Sequence, residues 1–106
     1  MYYYPVSSAL IECLILSVVS REDSYGYEIS QSVKLVAKIK ESTLYPILRR
    51  LEQGRYLTTY NREFNGRNRK YYSITEQGRV QLQYLKKEWK EYRDTLDAII
   101  EGRVEE

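Results

Sequence analysis

The sequence has no histidine, one cysteine and two prolines. Those absences exclude a Cys/His zinc cluster, a His-based catalytic triad and an intramolecular disulfide. No uncharged apolar run is long enough to span a bilayer, because Glu12 interrupts the longest, Ala9 to Val19. The first residues, Met1 to Pro5, lack the basic segment of a secretory leader. With the lone Cys13, this points to a reducing cytoplasm and no membrane partner. No repeat, low-complexity tract or Pro/Ser linker divides the chain, so its 106 residues read as one domain with an extended C-terminal element. A core of that size is small, and any element exposing a large apolar stripe is expected to bury it against a second copy.

What is present is strongly patterned. From Ser7 to Ser20 the apolar residues run nearly all round, which predicts a helix buried on most sides. Ser24 is read as the cap of a second helix with Tyr25, Ile29, Val33 and Val36 on one face. In a third, Leu44, Ile47, Leu48 and Leu51 recur at helical spacing, with Pro46 placed in or near the first turn and Gly54 or Arg55 at the close. Leu57 to Phe64 and Arg69 to Thr75 flank an Asn65-Gly66 turn signal and read as a β-hairpin. Thr75 then caps a long helix to about Ile100, along which Leu82, Leu85, Trp89, Tyr92, Leu96 and Ile99 form a coiled-coil-type seam suited to dimerisation. The fold expected is mainly α with a small β-hairpin: a winged helix-turn-helix over residues 1–75 and a C-terminal dimerisation helix over 76–106.

The net charge of +2 conceals its distribution. Residues 49–70 hold seven cations, Arg49, Arg50, Arg55, Arg62, Arg67, Arg69 and Lys70, against two acids, while both flanks are slightly acidic. On helix 3 the face opposite the leucines carries Ser42, Pro46, Arg49 and Gln53, bordered by Thr43, Tyr45 and Arg50, and nothing on it is acidic. Such a face suits the major groove, where arginine takes guanine O6 and N7 in a bidentate fashion; its ordinary alternative is a solvated helix face. The hairpin tip, Asn65 to Lys70, places Arg67, Asn68, Arg69 and Lys70 where a wing would lie along phosphates. Double-stranded DNA is therefore the partner expected.

Other residues read more plainly. Cys13 is expected in the core. Tyr25, Gly26 and Tyr27 are read as structural, and Tyr2, Tyr3 and Tyr4 either as a loose tail or, the reading slightly favoured, as packing on the partner's last helix. The carboxylate pairs Glu22/Asp23 and Asp94/Asp97 have no nucleophile or base patterned around them, so neither an enzyme nor a cofactor is expected. Trp89 and Tyr92 are candidates for stacking a flat aromatic effector, with interface packing as the plainer reading.

Several strings together resemble the PadR family of bacterial transcription regulators. They are Tyr25-Gly26-Tyr27-Glu28-Ile29, Thr43-Leu44-Tyr45-Pro46 with Leu48-Arg49-Arg50-Leu51-Glu52, Gly66-Arg67 through Arg69-Lys70-Tyr71-Tyr72, and Thr75-Glu76-Gln77-Gly78. Their order and spacing cover about residues 7 to 90, and the single short C-terminal helix is similar to the smaller subfamily. The resemblance implies a homodimeric repressor on a palindromic operator, released by a small effector that, in multidrug-sensing members, stacks on a tryptophan of the last helix. Three positions depart from the family pattern: Lys40 for a capping serine, Asn68 for a wing proline, and Arg55 for a loop glycine, with Gly54 one place early. The competing readings are a winged-helix protein-interaction module and a dimer that binds aromatic ligands without promoter control.

Overall fold

A computed structural model describes residues 5–103. The expected packing of Tyr2, Tyr3 and Tyr4 lies outside the described residues. The order is α1 (Ser8–Arg21), β1 (Ser24–Tyr25), α2 (Gly26–Val33), α3 (Glu41–Gln53), β2 (Leu57–Phe64), β3 (Arg67–Ile74) and α4 (Glu76–Ile100). This is a winged helix-turn-helix with a long C-terminal helix. Ser7 caps α1, its side chain accepting from the Leu10 N–H at 3.1 Å. Ile11, Cys13, Ile15, Leu16 and Val19 are buried around much of its circumference, so α1 is the axis on which α2, α3, α4 and β3 pack. Burial raises the Cys13 thiol pKa above its ordinary value, against smaller opposing effects of Ser17 and Lys86. The thiol is a core group, protonated at neutral pH.

Two expectations change at α2. Ser24 does not cap it. Ser24 and Tyr25 instead pair with Tyr72 and Tyr71 as a third, antiparallel strand, giving the sheet order β1-β3-β2. The ladder fixes Ser24 and Tyr25 in extended backbone ahead of a helix that has no side-chain cap, and Tyr25 packs edge-on against Tyr71, with ring centroids 5.5 Å apart. The helix also stops at Val33 and the chain turns, so Val36 is exposed and Ala37 takes the buried position. Helical spacing alone could not show that the chain leaves the helix one turn earlier.

Pro46 is the sixth residue of α3, not part of its first turn. The donor it lacks would have served the carbonyl of Ser42, a residue on the exposed face. Lys40, at the N-cap, supplies no side-chain cap bond. The helix ends in a Schellman arrangement in which Tyr56 N–H donates to the Leu51 carbonyl and Arg55 N–H to the Glu52 carbonyl, both at 3.0 Å. The left-handed residue there is Arg55 (φ 64°), while Gly54 is right-handed (φ −78°). The displaced glycine noted in the sequence thus leaves a side chain in the conformation where glycine is favoured.

β2 and β3 pair from Leu57↔Ile74 to Phe64↔Arg67, so β3 begins two residues earlier than expected. Asn65 (φ 52°) and Gly66 (φ 77°) close the hairpin, and both positive angles fit the primed two-residue turn that suits twisted strands. Alternation sends Leu57, Tyr72 and Ile74 inward to the core. Thr75 joins sheet to helix: its hydroxyl donates to the Arg55 carbonyl (2.6 Å) and accepts from Gly78 N–H (2.9 Å). Gly78 is required by close approach, because a Cβ there would collide with the Tyr56 carbonyl and Ile74.

α4 divides by burial. Leu82 is buried and Leu85 half-buried in the chain's own core, whereas Trp89, Tyr92, Leu96 and Ile99 are exposed. The first two positions of the predicted seam thus help root the helix. At about 37 Å long, α4 outreaches the layer beneath it. It ends with Gly102 in the left-handed position (φ 69°), where α3 has Arg55. Arg55→Gly should therefore raise unfolding stability by about 1 kcal/mol in urea denaturation, the strain of one left-handed non-glycine residue.

Candidate nucleic-acid interface

The interface is built outward from α3. Leu44, Ile47, Leu48 and Leu51 are buried against the core, which turns Ser42, Thr43, Tyr45, Pro46, Arg49 and Gln53 to solvent. These six residues share one accessible face with no carboxylate among them. Arg50 is also exposed but points elsewhere: its Nη2 donates to the Ser8 hydroxyl at 3.0 Å and lies 3.6 Å from the Glu12 carboxylate. It ties α3 back to the first turns of α1, so its charge is partly answered within the chain.

Tyr45 is set by a neighbouring helix. A Cβ on Gly26 would stand 3.0 Å from Tyr45 Cε1 and 3.1 Å from its hydroxyl oxygen. The first residue of α2 is therefore the bed on which this ring lies. Tyr45 remains 40% exposed, enough for its hydroxyl end to reach a ligand in front of α3.

The wing is oriented by Glu52. One carboxylate oxygen accepts from Thr59 Oγ1 of β2 and the other from Lys70 Nζ of β3, both at 3.2 Å, so a single acid of α3 holds both strands. Lys70 also lies over the Tyr72 ring. Burial, the largest influence, raises the Tyr72 phenol above its ordinary pKa, against the lowering effect of Lys70. Arg69 is half-buried over the rings of Tyr25 and Phe64, and Arg62 lies over Tyr71. Arg67 and Asn68 are exposed at the tip. Among the described residues, Arg49 and Arg67 make no ion pair. The cluster of seven cations therefore resolves into charges with partners inside the chain and charges that face outward unpaired.

Sequence reasoning missed three contributors. Lys38 and Lys40 are exposed on the segment leading into α3, widening its basic approach; they fell outside the 49–70 window. Tyr25 and Phe64 support Arg69, which only the sheet register reveals. A cleft of about 360 Å³ lies between the start of α1 and the middle of α4, walled by Leu10, Cys13, Leu85, Glu88, Trp89 and Tyr92. Trp89 and Tyr92, the candidate effector residues, do meet there, with ring centroids 6.2 Å apart. The acidic wall, Glu88, went unremarked because one carboxylate in a charged helix carries no pattern.

Gly26→Ala should separate stability from binding. The added methyl must push the far end of the Tyr45 side chain aside, while helix initiation is little affected. Thermal melting should shift by no more than a few degrees, and gel-shift affinity for duplex DNA should fall several-fold.

Comparison with known proteins agrees with this architecture. Residues 15–84 match the family model described as the transcriptional regulator PadR-like family. The crystal structure of smu.1704 from Streptococcus mutans UA159 superposes with a TM-score of 0.94 at 60% identity, covering 98% of both chains. A PadR family transcription regulator from Clostridium difficile R20291 gives 0.77 at 32% identity, over 85% of this chain and 97% of that one. An uncharacterized protein of Lysinibacillus sphaericus is 38% identical over 97 residues, 87% of this chain and 89% of its own length. Among the described residues no helix is long and apolar enough to cross a membrane. The family model and the solved PadR structure coincide on the helices and wing just described: the chain belongs to the PadR-like family, whose members are DNA-binding transcription regulators and not enzymes.

Proposed function

We propose that this chain acts in the cytoplasm as a homodimeric repressor that covers a palindromic operator and leaves it when a small planar aromatic effector binds. The observation that carries the reading is the outward, acid-free face of α3 beside a wing tip whose Arg67 is exposed and has no ion pair among the described residues. In this reading Ser42, Thr43, Tyr45, Pro46, Arg49 and Gln53 enter the major groove. Arg49 is the residue with the reach and donor geometry to read guanine. Arg50 flanks that face at the α1 side. Arg67, Asn68, Arg69 and Lys70 belong to the wing, which follows the neighbouring backbone and contributes register and affinity.

Residues 1–75 form the DNA-binding unit and 76–106 the dimerisation unit, with α4's root shared between them. Support for a second copy comes from the outer half of α4, where Trp89, Tyr92, Leu96 and Ile99 expose apolar surface along one stripe. A helix with such a stripe is stable in water when a partner covers it. A twofold dimer would present two α3 helices to half-sites about 34–36 Å apart, one turn of B-DNA. The cleft at Trp89 opens beside this stripe. A flat ligand could stack on the indole, and a cationic one would also meet Glu88, so occupancy would bias how two α4 helices sit.

The test is a footprint on DNA upstream of the protein's own coding sequence. Protection with twofold symmetry is expected, and Arg49→Ala should weaken it by about 1–3 kcal/mol while relaxing discrimination at one base position; no protection of any duplex would overturn the proposal. Leu96→Glu with Ile99→Glu should give a monomer by sedimentation, with footprinting lost at concentrations that saturate the parent protein. Trp89 fluorescence should be quenched by planar aromatic cations that also release the operator complex. A panel that quenches nothing would remove the effector arm.

A further inference from the structure

We propose that Arg69 is a positioning residue: its guanidinium, laid over the rings of Tyr25 and Phe64, fixes the angle of the outer wing to α3 and so delivers Arg67 to the DNA backbone. The inference deepens the DNA-binding reading above and rests on it. Its starting point is the sheet. β1 meets β3 only at Ser24↔Tyr72 and Tyr25↔Tyr71. Outward of that pair, residues 61–64 and 67–70 form a two-stranded ribbon with no third strand, and all of them except Arg69 are exposed. Such a ribbon has little stability of its own and needs ties to hold one orientation.

Besides Arg62 over Tyr71, ties cross from the ribbon to the body on both faces. On the α3 side Lys70 reaches Glu52 at 3.2 Å, with both side chains a third or more exposed, so the pair is weak. On the opposite side Arg69 Cζ lies 4.0 Å from the centroid of Tyr25 and 4.2 Å from that of Phe64. Tyr25 is well anchored. It meets Tyr71 edge-on; Tyr71 stacks on Tyr60 at 5.7 Å; and the Tyr60 hydroxyl donates to Asp23 at 2.7 Å. Arg69 thus links Phe64, next to the turn, to the root of β1 where α2 begins.

The chemistry favours arginine at this point. A planar guanidinium can stack flat between ring faces while its edge donors stay in water, a geometry the compact, strongly hydrated ammonium of lysine does not match. Arg69 is also directly opposite Arg62 across the ladder, a repulsive pairing that the rings offset because Arg62 lies over Tyr71. These contacts cover one face of the Tyr25, Tyr71 and Phe64 rings, while Phe64 stays 49% exposed.

Substitutions that keep the charge isolate the strut. Arg69→Lys and Phe64→Leu should each weaken duplex binding roughly three- to tenfold, with the slope of log K against log salt unchanged, and Phe64→Tyr should restore parental affinity. Both weakened variants should show faster amide exchange at 64–67 with melting temperature essentially retained. Near-parental binding by Arg69→Lys would mean that Arg69 is a simple phosphate contact and would overturn the proposal. Loss in Phe64→Leu alone would assign the contact to the ring itself and would overturn it equally. Should the parent protein bind no duplex, the regulator reading fails, and the exchange rates still decide whether Arg69 holds the wing.

Discussion

Everything in this fold depends on the burial of α1. A fourteen-residue helix with apolar side chains around much of its circumference has to be enclosed, and the chain supplies α2, α3, α4 and the sheet to do so. Each enclosing element has one apolar face to give. Once that face is committed, the direction of the other is determined. Leu44, Ile47, Leu48 and Leu51 turn inward and leave the hydroxyls and Arg49 of α3 outside. Leu82 roots α4 and forces its remaining turns past the edge of the body.

Charge is then sorted by what lies nearby. Glu12 and Ser8 take Arg50, Glu52 takes Lys70, and aromatic rings take Arg62 and Arg69. Exposed ion pairs of this kind contribute little stability individually, about 0–1 kcal/mol each. Their consequence is geometric: Arg50 ties α3 to α1 and Lys70 ties the wing to α3. Among the described residues Arg49, Arg55 and Arg67 of this cluster are left without an ion pair or ring contact, and Arg49 and Arg67 are held at separate points, on α3 and on the wing tip, as recognition of a regular polyanion requires.

Most of this was legible in the sequence where local rules act alone. Ser7 and Thr75 mark helix starts, Asn65-Gly66 closes the hairpin, and the leucine spacing of α3 fixes its buried face. What was not legible depends on partners distant in the chain. Ser24 reads as a helix cap until Tyr71 and Tyr72 offer it a ladder. Arg50 reads as a groove residue until Ser8, forty-two positions away, is brought beside it. Leu82 and Trp89 belong to one heptad pattern, yet one lies in the core and the other on the surface, because periodicity reports a face without saying what covers it. Arg55 is the opposite case: a glycine one place early pointed to an awkward helix end, and the left-handed arginine is there.

Whether this surface presents its unpaired cations in the spacing of duplex phosphates is decided by the salt dependence of binding. Affinity of the parent protein for an operator duplex, measured across a range of monovalent salt, should fall linearly on logarithmic axes with a slope of about −5 to −9, the signature of roughly six to ten neutralised phosphates in a dimer. A slope near zero would refute it, since no polyanion would then be meeting those arginines.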